Sequence, residues 1–249
     1  MNKTIARFNQ PLLHPREESE SHYVGVHIPL ARIGFLREPN RLAYHTLKAV
    51  KQYDPAGGWN HRLTAWRFVI AFMHGIQSEE SDKDETALSE AMLALVKRDI
   101  PHCLRDLRRC PVVEQVVMEP PNPNSSCAKY LFEYDRFADT SHEEAADWVN
   151  KLITAIQDWA SQDSRGLRSI KVNWTDGESE AAAQAEPGQL YTGKLISTNK
   201  VAYIEFTFDS EHWGEQFFGR AGRAEMLLDT RFEVADGYLV QETIEFDRR

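Results

Sequence analysis

The chain's nine histidines and three cysteines are the residue types most open to acid–base, nucleophilic or metal chemistry. His22 and His27 stand five residues apart. On a regular α-helix that separates them by about 140°, so they do not share a face as an i, i+4 metal pair would. His27 falls on the stripe Tyr23, Val26, His27, Leu30 and Ile33, whose spacing predicts a helix face turned to a sheet. An imidazole there titrates near neutral pH and suits general acid/base work; the alternative is a packing histidine bonded to backbone. Tyr44 and His45 are adjacent in a predicted strand and point to opposite faces. The hydroxyl of Tyr23 or Tyr44 can stabilise a developing phenolate or enolate, or sit at the edge of ordinary core. Arg67 shares a strand face with Ala65, Val69, Ala71 and Met73, where a long cation needs a carboxylate from the protein or from a ligand. Tyr53, Trp59 and Trp66 form an aromatic group able to stack on an aromatic ligand or to serve as core.

Other chemistries leave no trace. Cys103, Cys110 and Cys127 form no CxxC pair and no disulfide framework, and Cys103 reads as a core filler in an amphipathic stretch. There is no HExxH, no Asp/Glu/His set at zinc spacing, no phosphate-cradling glycine loop and no GxSxG elbow. No metal site or organic cofactor is therefore expected. The run Arg105-Asp106-Leu107-Arg108-Arg109 reads as a solvated helix end.

These residues need a scaffold, and its order is legible. Residues 3–10 alternate as a strand. A helix is expected from Arg16, ending or kinking near Ile28 because of Pro29. Strands are expected over 42–53, 64–74 and 111–118, with a helix over 85–107 turning Leu88, Met92, Leu95 and Val96 inward. That order is β-α-β-β-α-β, the ferredoxin-like unit. The Pro/Asn/Ser stretch 120–126 reads as a linker. The layout then repeats: a strand over 127–134, a helix over 142–159 capped by Thr140 or Ser141, and a strand over 167–174. A polar, alanine-rich loop at 176–188 comes next, then a strand pair ending at 201–208. A helix capped by Ser210 and running to about Leu228, and a final strand over 237–246, complete the repeat. The expected fold is α+β: two tandem ferredoxin-like units, 1–120 and 127–249, packed sheet-to-sheet as an intramolecular α+β barrel. Such packing would cover the apolar strand face of Phe68, Ile70 and Phe72.

Composition bounds the function. The 249 residues are 42% hydrophobic and 27% charged with net charge −9, which reads as globular and argues against a nucleic-acid binder. No apolar run reaches the roughly 20 residues of a membrane helix, and no secretory signal opens the chain. A cytoplasmic protein with no nucleic-acid or membrane partner is expected.

The run Ser21–Ala31, with Tyr23, His27, Pro29 and Leu30, resembles the first-helix signature of EthD-type dimeric α+β barrel proteins: an aromatic, a histidine four residues on, then x-Pro-Leu. The resemblance extends over roughly residues 3–120; the second half shares the layout without the signature. It implies a small-molecule enzyme that decarboxylates, cyclises, dehydrates or isomerises an aromatic or polyketide-like substrate, in most relatives without a cofactor, or else an accessory binding protein; haem-binding cousins exist. The favoured expectation is a cofactor-independent lyase, a decarboxylase of a phenolic or polyketide-like carboxylate, working as a monomer or homodimer. His27 would move the proton, Tyr23 or Tyr44 would stabilise the enolate and Arg67 would hold the carboxylate. His22, His45, Tyr53, Trp59 and Trp66 would line the substrate. The pocket is expected between helix 16–35 and strands 42–53 and 64–74, with the second half mainly a partner for the sheet.

Overall fold

The computed structural model describes residues 2–9, 11, 14–37, 41–54, 58–61, 63, 75–77, 90–103, 105–119, 127–184 and 192–248. The expected strand 64–74, with Arg67, Trp66 and the Phe68–Phe72 face, lies outside the described residues, as does the linker 120–126.

The chain is α+β, of ferredoxin-like type. Its described strands are β1 (Asn2–Asn9), β2 (Arg41–Asp54), β3 (Gly58–Asn60), β4 (Gly75–Gln77), β5 (Arg105–Met118), β6 (Ala128–Asp135), β7 (Leu167–Trp174), β8 (Ser179–Gln184), β9 (Thr192–Ser197), β10 (Lys200–Phe208) and β11 (Val234–Asp247). All their pairings are antiparallel. From β1 the hydrogen-bonded path runs β4-β2-β11-β6-β10-β7-β5, and β5 pairs with β1 again. Residues of the two chain halves thus pair at β2–β11, β5–β7 and β5–β8.

The first helical segment departs from its expected form. It comprises α1 (Arg16–His22), a five-residue π-turn (Tyr23–His27) and α2 (Ile28–Leu36). Pro29 does not end it. The Ile28 N–H donates to the Tyr23 carbonyl, five residues back, so the helix has widened before it meets Pro29. In a regular α-helix the proline ring would crowd the carbonyl four residues earlier. The extra residue in the turn also re-phases the inward stripe. Val26 and Ile33 are exposed, while Tyr23, His27, Ile28, Ala31 and Gly34 are buried.

Other expectations are corrected as well. Helix α3 (Glu90–Cys103) stops short of residue 107, and Arg105–Arg109 belongs to β5, not to a solvated helix end. There Ala6 pairs with Arg109 and Arg7 with Arg108, so sheet pairing with β1 overrides the local charge pattern. Leu95 is exposed; the buried turn of α3 carries Asp99, Ile100 and Cys103. The alanine-rich segment forms β8, because β5 and β9 supply ladder partners on both sides. Helices α5 (Glu211–Phe218) and α6 (Arg223–Leu227) are separate, broken at Gly219 and at Gly222, whose φ of 82° lies in the left-handed region, and the Ser210 side chain makes no cap bond. By contrast, α4 (His142–Gln162) starts as its sequence directs, with the Glu144 N–H donating to Ser141 Oγ at 3.1 Å.

Two apolar cores flank the sheet. One gathers Phe8, Tyr23, Tyr44, Ile100 and Cys103 under α1–α3. The other gathers Tyr130, Phe132, Val149, Ile156, Phe206 and Phe218 under α4 and α5. Strand alternation turns Glu133 and Asp135 to the sheet face away from Phe132 and Tyr134. On that face fully buried Lys200 binds Glu133 at 2.7 Å and also pairs with Asp135; Arg7 reaches Glu133 at 3.1 Å, and Lys3 reaches Glu205 at 3.0 Å. Among the described residues, no helix is long and apolar enough to cross a membrane.

Candidate functional site

The widened turn at Tyr23–His27 places His22 and His27 one above the other, since its hydrogen bond spans five residues instead of four. The α-helical expectation that they diverge is thereby overturned. Both reach the carboxylate of Asp99 on α3: His22 Nε2 lies 2.6 Å from Oδ1 and His27 Nδ1 lies 2.9 Å from Oδ2. Burial opposes ionisation of Asp99, but the hydrogen bonds from His27 and His22 outweigh it and hold the carboxyl below its ordinary range. An ionised carboxylate only accepts hydrogen bonds, so both facing ring nitrogens carry N–H and donate. With Nδ1 donating to Asp99, Nε2 is the His27 ring atom left to exchange a proton. The His27 tautomer is fixed by a buried acid, an arrangement shared with catalytic histidines.

The Tyr23 ring stacks on His27, with centroids 5.5 Å apart and an interplanar angle of 20°. Behind it stands Tyr44. Burial pushes both phenols above their ordinary range; their mutual contact raises Tyr23 further and lowers Tyr44. Cys103, one helical turn after Asp99, is buried, and burial followed by the nearby Asp99 charge pushes its thiol up. His27, Asp99 and Cys103 bring one ligand atom each within 4.8 Å of the others, a clustering the sequence spacing did not disclose.

Of the expected site residues, His22, Tyr23, His27 and Tyr44 come together here. His45 points to the other face of β2, where its Nδ1 lies 3.0 Å from Glu242 Oε1. Tyr53 and Trp59 meet in a tilted contact with ring centroids 4.8 Å apart and pack among Tyr130, Phe132 and Phe218 in the second core, with the Tyr53 hydroxyl donating to the Phe218 carbonyl at 3.2 Å. Arg67 and Trp66 lie outside the described residues. Asp99 and Cys103 join the site through the fold, and the sequence reading of Cys103 as a core filler does not point to it. The signal available was their i, i+4 spacing, which puts a carboxyl and a thiol on one face of a helix.

No family model matches the chain, and no curated protein matches it. Solved structures of similar shape include two described as "putative monooxygenase". The one from Lactobacillus acidophilus NCFM has a TM-score of 0.49 and 8% identity over 99% of this chain and 96% of its own. The one from Fusobacterium nucleatum subsp. nucleatum has a TM-score of 0.49 and 9% identity over 98% and 93%. A major regulator of staphylococcal pathogenesis has a TM-score of 0.40 and 11% identity over 95% and 98%. At these scores and identities, the likenesses carry no reaction or substrate over to this chain.

Proposed function

We propose that the chain is a small-molecule lyase that works by proton transfer at His27, with decarboxylation of a phenolic or polyketide-like carboxylate as its reaction. The observation that supports this reading is the Asp99 carboxylate, buried and bonded to His27 Nδ1, which leaves His27 Nε2 as a base. In the proposed step Nε2 takes the phenolic proton of the substrate, and the oxygen's electron pair moves into the ring. The imidazolium returns the proton to the ring carbon that bears the carboxylate. The carbon–carboxylate bond then breaks, its electron pair restores the aromatic ring, and carbon dioxide and a phenolate leave. The conjugated phenol acts as the electron sink that a cofactor would otherwise supply. The Tyr23 and Tyr44 hydroxyls would stabilise the charge, and Arg67 would hold the carboxylate. Cyclisation, dehydration or isomerisation would draw on the same groups.

The EthD-type signature Tyr23, His27, Pro29 and Leu30 belongs to the same reading. So does a tandem architecture of two ferredoxin-like units, 1–120 and 127–249, closed as a barrel within one chain. The strand path that returns to β1 supports it. Metal-free purified protein, incubated with a panel of phenolic acids, should release carbon dioxide, and His27→Ala should slow the release roughly 10²–10⁴-fold. Stoichiometric ligand binding without turnover, in wild type and variant alike, would instead make the chain an accessory binding protein.

A further inference from the structure

We propose that His27, Asp99 and Cys103 form a binding site for a divalent metal of the zinc type, occupied in competition with the proton-transfer state of His27. The inference adds a second state to the site proposed above and rests on a different observation, the convergence of three ligand types.

His27 Nδ1 or Nε2, an Asp99 oxygen and Cys103 Sγ all lie within 4.8 Å of one another, and all three residues are buried. Zinc bonds of about 2.0–2.3 Å set tetrahedral ligand atoms roughly 3.3–3.8 Å apart, so small side-chain rotations would close the set. Asp99 and Cys103 sit one turn apart on α3, and His27 comes from the π-turn facing it. A mixed imidazole, carboxylate and thiolate set favours zinc or cobalt over magnesium or calcium.

The surroundings supply further parts of a metal site. His22 holds the other Asp99 oxygen at 2.6 Å, an outer histidine–carboxylate contact that orients the ligand. The His102 ring lies 5.6 Å from that of His22 and 6.1 Å from that of His14, so imidazoles continue from the buried cluster towards solvent. The side chains of His22 and His14 are about one-third exposed, at 31% and 33%. Among the described residues, the Cys103 thiol makes long contacts, 3.9 Å to the Asp99 carbonyl and 3.7 Å to that of Ile100.

Binding would have a defined proton balance. The Cys103 thiol loses its proton to solvent and becomes the thiolate ligand. If the metal takes His27 Nδ1, the proton there moves to Nε2, the Asp99–His27 hydrogen bond is replaced, and Nε2 can no longer accept a proton. A loaded protein would therefore be inactive in the proposed proton transfer.

The test uses the full chain, stripped with a chelator and titrated with Co²⁺. A thiolate-to-cobalt charge-transfer band and tetrahedral visible bands should saturate at one metal per chain and disappear on addition of Zn²⁺. Cys103→Ser should abolish the charge-transfer band, and His22→Ala should weaken binding about 10–100-fold. His27→Gln, checked for folding by circular dichroism, should lose the tetrahedral spectrum. Absence of these bands in wild type, or their persistence in Cys103→Ser, would overturn the metal site. Activity in stripped protein separates the two readings. Turnover without any metal binding removes the metal site alone. Turnover only in the loaded protein would overturn both the cofactor-free reaction and the competition between metal and proton transfer.

Discussion

His22 and His27 donate to the two oxygens of a single carboxylate, Asp99, at 2.6 and 2.9 Å. Each imidazole is thereby held in one tautomer, and the two are coupled through one acid. His27→Ala should lower turnover by roughly 10²–10⁴-fold, the usual share of a general acid/base. Asp99→Asn is more telling. An amide can accept from one histidine but must donate to the other, which forces one ring into the wrong tautomer. The loss should appear in kcat and not in KM, with the thermal midpoint little changed. His22 is a positioning residue, so His22→Ala should cost less and should alter the pH profile of kcat. Wild-type kinetics in Asp99→Asn would remove the dyad from the mechanism.

Pro29 follows the π-turn and lacks the N–H that a regular helix would bond to Gly25. Pro29→Ala restores that donor and permits α-helical phasing, which would swing His22 and His27 apart. Turnover should fall about 10²-fold, the scale of a displacement near 1 Å, while stability holds or rises. Kinetics and thermal unfolding on the same sample check this. Unchanged turnover together with a regular helix in the variant's structure would break the link between the turn and the site.

Lys200 and Glu133 are both fully buried, 2.7 Å apart. Lys200→Met leaves the buried Glu133 carboxylate with Arg7 as its remaining cation and should destabilise by about 3 kcal/mol, the lower end for such breaks. Lys200→Met combined with Glu133→Leu should recover at least half of the loss. Urea unfolding gives both values, and simple additivity of the two substitutions would count against coupling.

Glu242 provides a pH test. Burial opposes its ionisation, yet the hydrogen bond from His45 and the Lys129 ammonium bring its carboxyl down to about 2. Its folded value is therefore below its ordinary value of 4.5. The sign follows: the stabilisation is fully present above the ordinary carboxylate range and is lost as pH falls from there towards about 2. Glu242→Gln should flatten the decline of unfolding free energy between pH 5 and about pH 2.5, measured by urea titration. An unchanged acid limb would contradict the assignment.

Local features of the chain were legible in its sequence because local rules govern them. Alternation over 3–10 places β1, the strand-forming runs 42–53 and 167–174 place β2 and β7, and Ser141 followed by acidic residues opens α4. Tyr23 and His27 could be placed on an inward helix face, and Tyr44 opposite His45, from periodicity alone. What the tertiary structure decided depends on residues far apart in the chain. Asp99 lies 77 residues from His22 and 72 from His27, and only packing of α3 on the π-turn brings the three together. Pairing with β1 draws the cationic run at 105–109 into a strand against its charge pattern. Lys200 and Glu133, 67 residues apart, can be buried only because each supplies the charge the other needs on the covered face of the sheet. A helical wheel assumes one fixed angular step per residue, and the single widened turn before Pro29 breaks that assumption at the position where the histidines converge.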